Sequence, residues 1–65
     1  MTINISKHTT CFTAHIINGV GEVIDTISME NYQDTYDRAL QVVAWLYYMH
    51  IGKATRNVVA VNDLF

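Results

Sequence analysis

The pattern of hydrophobic and polar positions predicts one long helix over residues 31–51. Hydrophobic residues recur there at steps of three and four, which places them on a single helical face. That face carries Tyr32, Tyr36, Ala39, Val43, Leu46, Tyr47 and His50. The opposite face carries Asp34, Asp37, Arg38 and Gln41. Asn31 or Ser28 can cap the first turn, and Gly52 stands where a helix of this length would end. We therefore expect an amphipathic helix that covers the rest of the chain.

The C-terminal half of this helix is hydrophobic on every side. Residues 42–49, VVAWLYYM, form an uninterrupted run of eight apolar and aromatic positions. Trp45 and Tyr48 continue the face that begins with Asp34 and Arg38, although so small a domain can bury only one side of its helix. Exposed Trp and Tyr side chains in one patch are typical anchors of protein interfaces. The predicted interface consists of Arg38, Gln41, Val42, Trp45, Tyr48 and Met49.

Four other segments have the composition of β-strands. Residues 2–6 alternate between polar and apolar types, whereas residues 9–17 and 22–28 are rich in β-branched and aromatic residues. Residues 57–61 are hydrophobic on both faces, so we expect a central strand or one covered by a partner. These elements predict an α+β fold: a three- or four-stranded, antiparallel-type sheet in the order (β)ββαβ, packed on one long helix.

The segment Asn18-Gly19-Val20-Gly21 is the clearest turn in the sequence, because Asn-Gly favours the backbone conformations of tight hairpins. A loop of two or of four residues places the same hydrophobic side chains on the face that the helix covers. They are Phe12, Ala14, Ile16, Val23 and Ile27. Asp25 falls on this face as well, and we therefore expect it to lie at an edge of the sheet or to cap a backbone group.

The length of the chain indicates a single domain, residues 1–65, with a small core. A core of this size leaves a protein only marginally stable. No internal disulfide can add stability because Cys11 is the only cysteine. Oligomerisation is the remaining common remedy, and the hydrophobic end of the helix is suited to it. We therefore predict a homodimer.

Charge and hydropathy narrow the classes of partner. The net charge is −2 and the basic residues are scattered along the chain, which makes nucleic acid an unlikely partner. They are Lys7, Arg38, Lys53 and Arg56. The longest apolar run is far too short for a membrane span. A lone cysteine and a polar first ten residues favour a cytoplasmic protein.

His8, Cys11 and His15 have a spacing, H-x2-C-x3-H, that suggests a metal site. On a strand, however, Cys11 and His15 are about 13 Å apart at roughly 3.3 Å per residue. Zinc ligands lie at roughly 2.0–2.3 Å from one ion, so we expect no metal and no cofactor. Nucleophilic catalysis at Cys11 would require an oriented base, for which a flat hairpin has no framework. We therefore expect a protein that is not an enzyme.

Two functions remain. The first is a small protein-interaction module: a homodimer that binds and inhibits another protein, as small inhibitors encoded by phages and mobile elements do. The alternative is a nucleic-acid-associated regulator in which a dimer brings Arg38, Lys53 and Arg56 onto one surface. Salt dependence of binding to DNA would distinguish them, because contacts to phosphate weaken steeply as salt rises.

Overall fold

The computed structural model describes the backbone of residues 1–51 and 59–65, and the side chains of residues 1–46 and 59–65. In chain order the elements are β1 (Thr2–Lys7), β2 (Phe12–Ile17), β3 (Val23–Met29), α1 (Tyr32–Ile51) and β4 (Ala60–Asp63). The predicted C-cap at Gly52, the first two residues of the strand predicted at 57–61, and the side chains of Tyr47 and His50 lie outside the described residues.

The four strands form one sheet in the order β3-β2-β1-β4, with α1 packed on one face, mainly over β2 and β3. The predicted α+β fold is therefore confirmed. β1 is a complete strand that pairs antiparallel with β2 and parallel with β4, so the sheet is mixed, with mostly antiparallel pairing. β4 is parallel to β1 because α1 connects it to β3, which itself runs parallel to β1, and such a crossover joins parallel strands.

The second strand is shorter than the sequence predicted. The N–H of His8 donates to the carbonyl of Cys11 at 2.8 Å, which closes a turn after β1. Thr9 and Thr10 belong to this turn, and β2 begins only at Phe12. The expectation of a strand from residue 9 was therefore wrong, because β-branched composition does not distinguish a strand from the turn that precedes it.

Asn18 holds the second hairpin closed. Its N–H donates to the carbonyl of Glu22 at 2.9 Å, and its side-chain Oδ1 accepts from the amides of Val20 and Glu22 at 3.0 and 2.9 Å. Gly21 has φ of 89°, a conformation that disfavours side chains with a Cβ. The pair Asn18 and Glu22 thus encloses three residues, a known hairpin loop with a left-handed glycine at its end, rather than two or four.

A β-bulge at Ile24 changes the face on which Val23 lies. Ile16 is opposite Asp25 and Ile17 is opposite Val23, so the residue between them has no partner. Val23 therefore lies on the face of Ile17, away from the helix, and is 54% exposed. Its predicted place under the helix was wrong, because counting by twos fails across an inserted residue. Asp25 lies on edge strand β3 and is exposed, as the sequence predicted.

β4 is an edge strand, so of the two predicted positions, central or covered by a partner, the central one was wrong. Val61 is partly buried and packs against the core, whereas Asn62 on the opposite face donates from Nδ2 to Oδ1 of Asn4 at 3.0 Å. Alternation across the two faces thus holds within the described part of this strand.

The core consists of side chains from β1, β2 and α1 that are at most 8% exposed. They are Ile3, Ile5, Ala14, Ile16, Ala39, Val42 and Val43. Asn31 is the N-cap of α1: its Oδ1 accepts from the amide of Asp34 at 2.8 Å. Thr35 is fully buried and donates from Oγ1 to the carbonyl of Asn31 at 2.8 Å, so it carries no unsatisfied polar atom into the core.

The buried stripe of α1 is rotated relative to the prediction. Val42 is 8% exposed and belongs to the core, whereas Leu46, predicted to be inside, is 52% exposed. The helix has 20 residues and is therefore about 30 Å long, while strands of six or seven residues span about 20–23 Å. Leu46 lies one turn beyond the last described core residue, Val43, so the described core contacts of α1 end before it. Among the described residues, no helix is long and apolar enough to cross a membrane.

Candidate interaction surface

Arg38, Gln41 and Trp45 form one exposed cluster on the outer face of α1, which we term the Arg38–Trp45 surface. The guanidinium carbon of Arg38 lies 4.9 Å from the centroid of the Trp45 ring. Nη1 of Arg38 also donates to Oε1 of Gln41 at 2.9 Å. The three residues are spaced by three and four along the helix, which places them on one face.

The contact with Arg38 orients the indole at the surface without covering it. Trp45 remains 56% exposed. A cation over an aromatic ring at an exposed site contributes about 0.5–1 kcal/mol, enough to bias the rotamers of both side chains. The result is a flat apolar surface with a fixed positive charge on one side, a combination that is enriched at the centres of protein interfaces.

A shallow depression of about 550 Å³ lies beside this surface on the N-terminal half of α1. Its described lining residues are Met29, Asp34, Asp37, Arg38, Leu40 and Gln41. Two carboxylates and one guanidinium therefore lie close together around a cavity that also exposes Met29, which is 36% accessible. A surface that carries both signs of charge can be complementary to a second copy of itself, as the isologous interface of a two-fold dimer requires.

The structure brings together some of the predicted interface residues and removes one of them. Arg38, Gln41 and Trp45 are exposed neighbours. Val42 is a correction: it is a core residue, because the buried stripe lies closer to Thr35 than the pattern indicated. Tyr48 and Met49 have helical backbones within α1, and their side chains lie outside the described part of the chain.

Sequence reasoning missed the exposed side chains of Met29 and Leu46. The run of eight apolar residues at 42–49 was a signal for Leu46, because so small a domain cannot bury every side of its helix. Met29 ends β3 opposite Phe12, and no pattern in the sequence indicated its exposure.

A second cluster of aromatic side chains fixes the C-terminal segment to the start of the helix. The ring of Phe65 lies 5.6 Å from that of Phe12 and 5.9 Å from that of Tyr32. The hydroxyl of Tyr32 donates to Oδ1 of Asp63 at 2.9 Å. This hydrogen bond, with desolvation as the lesser cause, raises the pKa of Tyr32 above its usual range. Phe65 thus contacts β2 and the start of α1, although 60% of it stays exposed.

The sheet face opposite the helix carries polar side chains beside Ile17 and Val23. Thr13 Oγ1 and Ser28 Oγ lie 3.0 Å apart, and Asn4 and His15 are paired across β1 and β2. These polar side chains hydrogen-bond or lie next to one another across the strands.

The three residues of the possible metal site do not converge. His8 is exposed in the first turn, Cys11 is partly buried just before β2, and His15 lies on the open face of the sheet opposite Asn4. Among the described residues, no three His, Cys, Asp or Glu side chains are placed to hold one ion.

Comparisons with known protein families, with curated proteins and with solved structures found no match to this chain.

Proposed function

We propose that this protein is a small interaction module, a homodimer that associates through the C-terminal half of α1 and binds and inhibits another protein. The observation that carries the proposal is the exposed indole of Trp45, which Arg38 contacts on the outer face of α1. Isolated exposed apolar residues are ordinary on a protein surface. An exposed Trp stacked with Arg is typical of the centre of an interface, and the neighbouring Leu46 adds exposed apolar surface.

The size of the domain supports self-association. The described core contains seven hydrophobic residues, among them two alanines. A second subunit that covers Trp45 and Leu46 would bury apolar area that the sheet of the first subunit leaves exposed. Each additional 100 Å² of such area contributes roughly 2.5 kcal/mol before the costs of association.

Sedimentation equilibrium of the purified chain from about 1 to 100 μM tests the dimer directly. We expect a mass near twice 7.4 kDa that falls on dilution. A single 7.4 kDa species throughout this range would refute self-association. Capture of a host protein by the tagged wild type, and its loss in Trp45→Ala, tests the second half of the proposal. Binding to nonspecific DNA that falls steeply with salt would instead favour the nucleic-acid regulator.

A further inference from the structure

We infer that Asp25 prevents the outer edge of β3 from pairing with the β3 strand of a second copy of this chain. The inference rests on three observations on the described strands. They are the position of β3, the direction in which its backbone groups point, and the hydrogen bond between Asp25 and the next residue. It is independent of the Arg38–Trp45 surface.

β3 is the longest strand and lies at the end of the sheet, with a described neighbour, β2, on one side only. Its sequence, VIDTISM, contains three β-branched apolar residues and one threonine, and only Ile27 is partly buried. A long edge strand of this composition is a template for the addition of another strand. The opposite edge strand, β4, has four residues and presents a shorter template.

The backbone of Thr26 points to the free edge. In antiparallel pairs, positions that exchange hydrogen bonds alternate with positions that do not. Asn18 donates to Glu22, so Ile17 with Val23 is the next, non-bonded position. Across the bulge, Ile16 with Asp25 is bonded and His15 with Thr26 is not. The amide of Thr26 is therefore directed away from β2, toward an incoming strand.

The side chain of Asp25 accepts a hydrogen bond from that amide. Its Oδ1 accepts from the N–H of Thr26 at 2.8 Å, and both residues are exposed. An incoming strand would have to break this hydrogen bond and would meet the carboxylate at the edge. Charged side chains and bulges at edge strands are two devices by which proteins prevent such pairing, and Asp25 lies in a bulge.

A second copy of β3 is the strand that fits this edge best. Antiparallel pairing about Thr26 would place Val23 opposite Met29 and Asp25 opposite Ile27 of the other copy. No like charges face each other in this register, so the charge of the strand alone does not prevent it. The hydrogen bond from the Thr26 amide to Asp25, at the centre of this pairing, prevents it. Removing this hydrogen bond should allow two sheets to join edge to edge.

The test compares three variants by sedimentation equilibrium, each in the wild-type and the Trp45→Ala background so that association through α1 is read separately. Asp25→Val removes the hydrogen bond and the charge, and Asp25→Ala does so without adding β propensity. Asp25→Asn removes the charge and keeps an acceptor for the Thr26 amide. Glu30→Gln is the control for loss of a carboxylate just after β3.

We expect Asp25→Val and Asp25→Ala to self-associate at least tenfold more tightly than their parents in both backgrounds. Asp25→Asn and Glu30→Gln should behave as their parents do. Adding Thr26→Pro, which removes the edge amide, should return Asp25→Val to the parental state. Hydrogen exchange should show new protection at Thr26 in the associated species.

Three results would overturn the inference. The first is that folded Asp25→Ala associates no more than its parent. The second is that Asp25→Asn associates as strongly as Asp25→Val, which would leave the hydrogen bond without a role. The third is that the association survives Thr26→Pro, which would place the contact elsewhere. None of these results bears on whether Trp45 anchors the proposed dimer.

Discussion

Trp45→Ala gives the sharpest test of the proposed interface. A Trp side chain can bury up to about 250 Å². The 56% of Trp45 that is exposed therefore corresponds to roughly 140 Å². Covering this area contributes about 3.5 kcal/mol at roughly 25 cal/mol/Å². Part of it is offset by ordering of side chains on association, so we expect a loss of about 2 kcal/mol or more, at least roughly 30-fold in the dissociation constant.

The fold of the subunit should change much less in the same variant. The lost contact with Arg38 contributes about 0.5–1 kcal/mol at an exposed site, and alanine is the better helix former. If the indole instead lay under the sheet, truncation would lower the free energy of unfolding by about 3–5 kcal/mol. Urea denaturation and sedimentation of the same sample separate the two cases. Gln33→Ala, an exposed residue on another face of α1, is the matched control.

The reasoning would be refuted by either of two results. A Trp45→Ala chain that sediments as the wild type does, with an unchanged dissociation constant, would show that this surface is not an interface. A chain that unfolds outright would show that α1 lies on the sheet with a different face.

Four further substitutions test individual contacts. Gly21→Ala should lower the free energy of unfolding by about 1 kcal/mol because Gly21 has a positive φ. Gly19→Ala should have little effect, since the new Cβ would meet no atom within 4 Å. Equal losses of stability in the two variants would contradict the loop geometry. Asn31→Ala should cost about 1 kcal/mol in urea denaturation through loss of the helix cap, and an unchanged midpoint would mean that Asn31 does not cap α1. The raised pKa of Tyr32 favours its neutral form in the folded state. The stability from its hydrogen bond to Asp63 is therefore fully present below about pH 10 and is lost as pH rises through the folded pKa. Tyr32→Phe should abolish this alkaline dependence of stability, and a variant with the same pH profile would disprove the contact. Cys11→Ser should leave binding to a partner intact and cost about 1 kcal/mol of stability at most, and a folded variant without activity would revive an enzymatic function.

The order of elements followed from the sequence because periodicity is a local property. The helix beginning at Tyr32, its cap Asn31 and the hairpin at Asn18 depend on residues within a few positions of one another. One prediction failed where a local count was extended too far. The bulge at Ile24 moved Val23 to the other face, and nothing in the alternation marks the inserted residue.

Other errors came from contacts between distant parts of the chain. The position of β4 depends on its pairing with β1, which no local pattern specifies. The burial of Val42 and the exposure of Leu46 depend on where α1 crosses the sheet. The exposure of Trp45 was predictable because the polar residues before it establish the outer face. The contact with Arg38 was not, since it depends on side-chain rotamers.

The pairing of β1 with β4 has a consequence for how the chain folds. β1 is the first described strand and β4 is the last, so Asn4 and Asn62, which bond across this pair, are 58 positions apart. The hairpins and the helix can form locally and early, whereas closing a loop of this length is slow and costs entropy that only the finished pairing repays. Until residue 60 reaches β1, the edge of β1 that β4 covers is open, so a chain in which only the hairpins and the helix have formed exposes a strand that is internal in the complete sheet.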